Sequence, residues 1–363
     1  MKPPAARLKP PAVSYVSTAM RSTVLVVLAA CAAHPAEPAP RPPPRAPEAK
    51  AEAKPEARAD AKPEAAPEPA PEPACADDGA PYDPAALRGR VAHLAAAALD
   101  GRAAGSAGDE AARGYLAERF RCLGLVPAGD GGSYAQAFIA DGHPTANLIG
   151  YLPGDDAAVA RDVIVVGAHH DHLGDGHLGA NDNASGTAAL LAIAQALHQR
   201  GKPRRTIAFV AFGGEELGLV GSAHFAAHPP AQLPLDRIVY DVNLDMVGSY
   251  ASAGAVYAMG TFRGLAATPI VKALAAEHPA LHVGIGGRGA GSDHEAFCRA
   301  GVPYVFFWTP DRRCYHARCD TIERLDTAHL GAIAAIAGEL VARLSDAPGD
   351  LAAARARLGC NGR

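Results

Sequence analysis

The sequence predicts an α/β fold with a mixed, mostly parallel β-sheet covered by helices on both faces. Three observations predict it. Val163 to Ala168 and Thr206 to Phe212 are uninterrupted apolar runs, and Ile238 to Leu244 is a further, mostly apolar strand candidate, as expected of strands buried on both sides rather than on one. The Ala- and Leu-rich stretch Ala184 to Gln199 separates the first two and reads as a helix, which gives the strand-helix-strand order of such folds. The three runs are followed at once by His169, by Glu215-Glu216 and by Asp245, and open α/β sheets gather their ligands at the carboxyl ends of the strands.

The remaining elements follow in order. Asp83-Pro84 starts a helix carrying Leu87, Val91, Leu94 and Ala98 at helical spacing, and Asp109 to Leu123 forms a second with Tyr115, Leu116, Phe120 and Leu123 inward. Ala146 to Leu152 is a strand closed by the Pro153-Gly154 turn. Glu216 to Ala227 is expected to be helical, Val256 to Met259 and Val302 to Trp308 to be strands, and Arg324 to Leu344 to be a C-terminal helix.

Composition divides the chain before the folded part begins. Of 363 residues, 31 are proline, and they concentrate before residue 85. Met20-Arg21, the apolar run Thr23 to Ala30 and Leu28-Ala29-Ala30-Cys31 read as an export signal over 1–31 with Cys31 in a bacterial lipobox, Met20 being an alternative start; the run is too short to span a bilayer. Residues 32–82, as in Pro47 to Glu56, lack large apolar side chains and read as a disordered tether. A folded domain over 83–346 and a tail over 347–363 complete the division. A net charge of −4 offers no basic surface for nucleic acid. Six cysteines follow Cys31, and in an exported chain they permit disulfides, with Cys314 and Cys319 the most local pair.

Candidate metal ligands stand at the strand ends. In His169-His170-Asp171-His172, residues two apart share a face, so one histidine can bind a metal while a carboxylate behind it fixes the ring. His169 with Asp171 is favoured because His169 follows the strand directly; His170 with His172 satisfies the same spacing, and a His-rich surface loop is the bland alternative. Asp182 in Ala180-Asn181-Asp182-Asn183-Ala184-Ser185-Gly186 precedes a helix, where Asp, Asn and Ser also serve as ordinary caps. Glu215 and Glu216 follow an apolar strand and a Gly-Gly turn; one can bind a metal and the other handle a proton, or both can complement a helix dipole. Asp245 and His316 add a carboxylate and an imidazole further along.

Together these motifs, with Ser292-Asp293-His294, Phe297 and Tyr315-His316, resemble the di-zinc exopeptidases of metallopeptidase family 28 over roughly residues 88–344. The resemblance implies a three-layer sandwich and two Zn2+, one bound by His169 and Asp245, the other by Glu216 and His316, with Asp182 bridging. It implies Glu215 as general base toward a metal-bridging hydroxide, Asp171 as the partner of His169, and an aminopeptidase acting on peptides with a free N-terminus. Ser292, Asp293, His294 and Tyr315 would line the substrate pocket, and Phe306, Phe307 and Trp308 are either its apolar wall or strand core. His170, His172 and His177 are then loop residues. A disulfide between Cys314 and Cys319 would brace the loop carrying His316.

A single-zinc glutaminyl cyclase and a non-catalytic binding domain on the same fold are the alternatives; the complete ligand set favours the peptidase. The expected protein is a monomer, touches membrane only through its lipid anchor in the periplasm or at the cell surface, and is otherwise secreted.

Overall fold

A computed structural model describes residues 79–362. The export signal, Cys31 and the tether up to residue 78 lie outside the described residues.

Nine strands build the sheet: β1 (Val126–Pro127), β2 (Ala135–Ala140), β3 (His143–Leu152), β4 (Val163–His169), β5 (Thr206–Phe212), β6 (Ile238–Leu244), β7 (Val256–Met259), β8 (Val283–Ile285) and β9 (Tyr304–Trp308). Their order is β1-β3-β5-β4-β6-β9-β7-β8, with β2 paired to β3. The central pairs β5-β4, β4-β6 and β6-β9 are parallel, and the flanks are antiparallel except for β7-β8. Among the described residues the α-helices are α1 (Pro84–Leu94), α2 (Ala107–Cys122), α3 (Gly186–Arg200), α4 (Val220–Ala227), α5 (Tyr250–Ala253), α6 (Ala267–Glu277), α7 (His294–Arg299), α8 (Thr327–Asp346) and α9 (Leu351–Leu358).

Both faces are covered, as the continuous apolar runs require. Ile164, Val166 and Ala168 of β4 pack with Leu87 and Val91 of α1, Leu190 and Ile193 of α3 and Ile333 and Leu340 of α8. Val163 and Val165, pointing the other way, join Phe225 of α4 and Phe297 of α7. Strand alternation thus feeds two cores from one apolar run. Because β4, β5 and β6 run parallel, with His169 opposite Phe212 and Gly167 opposite Asn243, their carboxyl ends open onto a single edge.

Two expectations are corrected. Glu216 to Leu219 is a turn, with Leu219 left-handed at φ 62°, so α4 starts only at Val220. The carboxylates are thereby held in a loop over the sheet edge instead of in a first helical turn. The segment after residue 346, expected as a tail, carries α9 and is tied to the end of α7 by the Cys298–Cys360 disulfide.

Buried Arg205 holds the end of α8. Its Nη1 donates to the carbonyls of Leu344 (3.2 Å), Ser345 (2.8 Å) and Ala347 (2.8 Å), its Nη2 to that of Gly349 (2.9 Å), and its Nε to Asp162 (3.4 Å). Leu344 and Ser345 belong to the last turn, whose carbonyls lack the usual donors four residues on, although Leu344 also accepts the Ala347 N–H (3.3 Å). Arg205→Met is expected to lower unfolding free energy by about 3–5 kcal/mol, and Arg205→Lys to recover little because it lacks the planar fork. Urea unfolding checks this; a loss below about 1 kcal/mol would discount the capping role.

Candidate metal centre

His169 closes β4 and is buried. Its Nδ1 lies 3.2 Å from the backbone carbonyl of Asp171, a group that only accepts, so Nδ1 carries the proton and Nε2 presents its lone pair. Nε2 faces Asp245 Oδ1 at 3.3 Å, Asp182 Oδ1 at 3.4 Å and Glu215 Oε2 at 4.0 Å.

The expected pairing of His169 with the Asp171 side chain is therefore modified. That carboxylate is 3.8 Å from Nδ1, and instead accepts the backbone N–H of Glu215 (3.1 Å) and of Glu216 (3.3 Å). Asp171 holds the acidic loop in place, while its own carbonyl orients the imidazole. Burial pushes the Asp171 carboxyl up, with His169 and His170 opposing.

Asp182 sits in the turn before α3, 2% exposed. Its Oδ1 faces His169, and its Oδ2 lies 3.3 Å from His316 Nε2 with no hydrogen-bond partner of its own. One carboxylate thus stands between two sets of donors. The flanking residues do more than cap α3: Asn183 Oδ1 accepts from Gly186 (2.9 Å) and Met246 (3.2 Å), and Asn181 Oδ1 accepts from Gly248 (2.8 Å). They staple the Asp182 turn to the segment that carries Asp245.

Glu216 completes the second set, with Oε2 3.0 Å from His316 Nε2. His316 occupies a left-handed backbone conformation, φ 53°, unusual for a side-chain-bearing residue and a frequent mark of functional sites. The Cys314–Cys319 disulfide closes its loop. Glu215 is 8% exposed, and burial pushes its carboxyl up to about 10, His169 opposing and Asp245, Asp293 and Asp171 adding to the rise. Burial likewise pushes Glu216 up, but His172 and His316 overcome it and leave Glu216 below its ordinary value.

The donors fit a cation. His169, Asp182 and Asp245 form one group, and His172, Asp182 and Glu216 another, with ligand atoms inside each group within 4.8 Å of one another. Tetrahedral zinc with bonds of about 2.0–2.1 Å places its donors about 3.3 Å apart, close to the 3.0–3.4 Å separations of the His169 and His316 nitrogens from their carboxylates. Buried carboxylates at this density need a counter-charge, and Asp182 Oδ2 is buried with histidine nitrogens at 3.3 and 3.9 Å but no well-formed hydrogen bond. Mixed imidazole and carboxylate donors without thiolate suit zinc.

The other histidines separate. His170 is a buried pin, its Nε2 3.0 Å from Asp109, and His177 bonds within its loop to Gly174. His172, expected as a loop residue, is instead buried with Nδ1 2.7 Å from Glu216 Oε1. Ser292, Asp293 and His294 are buried and do not line the cavity over the site: Ser292 accepts from Asn243, and His294 lies between the rings of Tyr304 and Phe306. Burial holds His294 down at about 4, and hence neutral. Tyr315 lines the cavity, which holds about 650 Å³ and has an apolar wall of Met246, Met259, Phe306 and Trp308. Phe307 points into the core.

Sequence reasoning missed two supports. Arg102, fully buried, donates to the carbonyls of Leu94, His170, Leu178 and Gly179 and fixes the loop after β4; an arginine after an Asp-Gly turn carries no motif that would reveal this. Asp320 accepts the N–H of Asn181 (2.8 Å) and of Asp182 (2.9 Å), and its place four residues after His316 was the available signal. Asp320→Ala is expected to weaken zinc binding by about 10–100-fold, read by chelator competition; unchanged affinity would remove Asp320 from the site's support.

Residues 147–341 match the description of peptidase family M28. The chain belongs to that family. It is 35% identical over 180 residues to aminopeptidase YwaD of Bacillus subtilis, covering 47% of this chain and 38% of that one. The chain spans about half or less of the length of the curated relatives it matches. Its fold is similar to that of a zinc aminopeptidase from Bacillus subtilis (TM-score 0.61, 20% identity, 72% of this chain and 95% of that one). It is also similar to that of a Bacteroides thetaiotaomicron glutaminyl cyclase (TM-score 0.58, 21% identity, 72% and 97%).

Proposed function

We propose that this M28 chain is a zinc-dependent aminopeptidase that removes N-terminal residues from peptides, with Glu215 as general base. The carrying observation is Asp182, whose two oxygens face two separate donor sets. His169, Asp182 and Asp245 would hold one zinc, and Asp182, Glu216 and His316 the other. Zinc held there would supply Lewis acidity toward a carbonyl and would make water acidic enough to be a nucleophile near neutral pH.

The chain's own groups supply the rest. Glu215 borders the first position, 4.0 Å from His169 Nε2; positive charge held there would favour its ionised form, in which it takes a proton from the attacking water as the water oxygen bonds to the scissile carbonyl carbon. The same carboxyl returns that proton to the peptide nitrogen as the C–N bond breaks. The His169 tautomer is fixed by the Asp171 carbonyl, and the Glu215 backbone by the Asp171 side chain. Met246, Met259, Phe306 and Trp308 offer an apolar surface to the N-terminal side chain.

Zinc content of the purified chain, measured beside hydrolysis of aminoacyl-anilides, tests the reading. Two zincs per chain and cleavage of free but not N-acetylated substrates are expected. One zinc with cyclisation of N-terminal glutamine would replace the peptidase by a cyclase, and no metal would replace it by a binding module. Export and lipid attachment at Cys31 belong to the same proposal, supported by the Cys298–Cys360 and Cys314–Cys319 disulfides, which persist in oxidising compartments. Palmitate labelling that survives Cys31→Ala would reject the anchor.

A further inference from the structure

We infer that His172 is a fourth protein donor at the second metal position, so that the two positions are unequal: His172, Asp182, Glu216 and His316 enclose one, while His169, Asp182 and Asp245 leave the other open beside Glu215. The inference rests on the two-zinc reading above.

Four observations carry it. First, His172 Nδ1 lies 2.7 Å from Glu216 Oε1 and 3.9 Å from Asp182 Oδ2. It approaches the same two carboxylates that His316 Nε2 reaches at 3.0 and 3.3 Å. Second, the two rings meet edge to face, centroids 5.8 Å apart, bringing both nitrogens to that pair of acids from different sides. Third, the ring of His172 is packed closely against Gly179. A β-carbon built on Gly179, at φ 61°, would lie 2.5 Å from His172 Cγ and 2.2 Å from the Asp182 carbonyl, so the glycine is required to seat the imidazole. Fourth, Nε2 is buried with no hydrogen-bond partner, so the carboxylate side alone orients the ring.

The 2.7 Å contact is a hydrogen bond length, and about 0.6 Å of opening brings it to the donor spacing of a tetrahedral zinc. Two imidazoles and two carboxylates fill that shell, as in zinc sites that hold structure. Three donors leave a fourth place open, as in zinc sites that perform chemistry. The enclosed position therefore binds first and more tightly, and the open one is the more easily emptied.

Cobalt(II) loaded into the full chain tests this. Each ligating histidine keeps one exchangeable ring N–H, which cobalt shifts far outside the ordinary proton NMR range. Three such resonances are expected in the unmodified protein, one each from His169, His172 and His316, and two in His172→Gln. The tighter of the two cobalt-binding steps is expected to weaken at least about 100-fold in that variant, because loss of a ligand exceeds the 10–100-fold cost of losing a supporting residue. Two resonances in the unmodified protein overturn the inference whether or not the variant folds, and so does a tight step that His172→Gln leaves unchanged. Two metals and three resonances without peptide hydrolysis would uphold His172 and reject the aminopeptidase; no metal uptake would reject both.

Discussion

Glu215→Gln is expected to lower kcat about 10³-fold, within the span of general acid-base catalysis, while zinc content stays at the unmodified level. Glutamine keeps the volume and the backbone N–H that Asp171 accepts, but its amide takes no proton from water. Of the three carboxylates facing His169 Nε2, Glu215 is the farthest, at 4.0 Å against 3.3 and 3.4 Å for Asp245 and Asp182, so its loss removes no close donor. Anilide hydrolysis and metal analysis on one preparation make the check. A kcat within about threefold of the unmodified protein would transfer the base role to another group. Loss of zinc alongside activity would make Glu215 a ligand.

Asp182→Ala is expected to abolish hydrolysis and to empty both metal positions together, because each set of donors uses one oxygen of this side chain. Asp245→Ala should empty the first position, and His316→Ala should weaken the second. The effect extends to stability: a metal bound only by the folded state adds about 2.7 kcal/mol when its free concentration is 100 times Kd. Zinc should therefore raise the melting temperature of the unmodified chain, and chelator reverse it, while Asp182→Ala responds to neither. Retention of a full complement of zinc by that variant would show that the two donor sets are independent.

The strands and the chemistry at their ends were legible because the two signals coincide. Val163 to Ala168 and Thr206 to Phe212 are continuous apolar runs and Ile238 to Leu244 is mostly apolar, and a histidine or carboxylate that no core would accept unpaired follows each within three residues. Parallel strands bring such endings to one edge, so His169, Glu215, Glu216 and Asp245 converge as their positions in sequence imply. His316 was harder: its loop returns to the edge through a left-handed residue and a disulfide, and only its resemblance to a family motif singled it out. The short strands β1 and β8 escaped prediction because two or three residues carry no period.

What the sequence by itself determined is the class of fold and the kinds of ligand, since burial on two faces and charge at strand ends are properties of local runs. What tertiary structure alone decided is which polar atoms meet. His170 and His172 are equivalent by spacing, yet one turns back to Asp109 and the other reaches Glu216. Asp171 supports the acidic loop as much as its neighbouring imidazole, and Ser292, Asp293 and His294 lie beneath the cavity they were expected to line. Hydrogen-bond geometry over a few ångströms depends on loops joined across the fold, by Arg102, Asp320 and Asn183 among others, and no local pattern encodes where such distant segments touch.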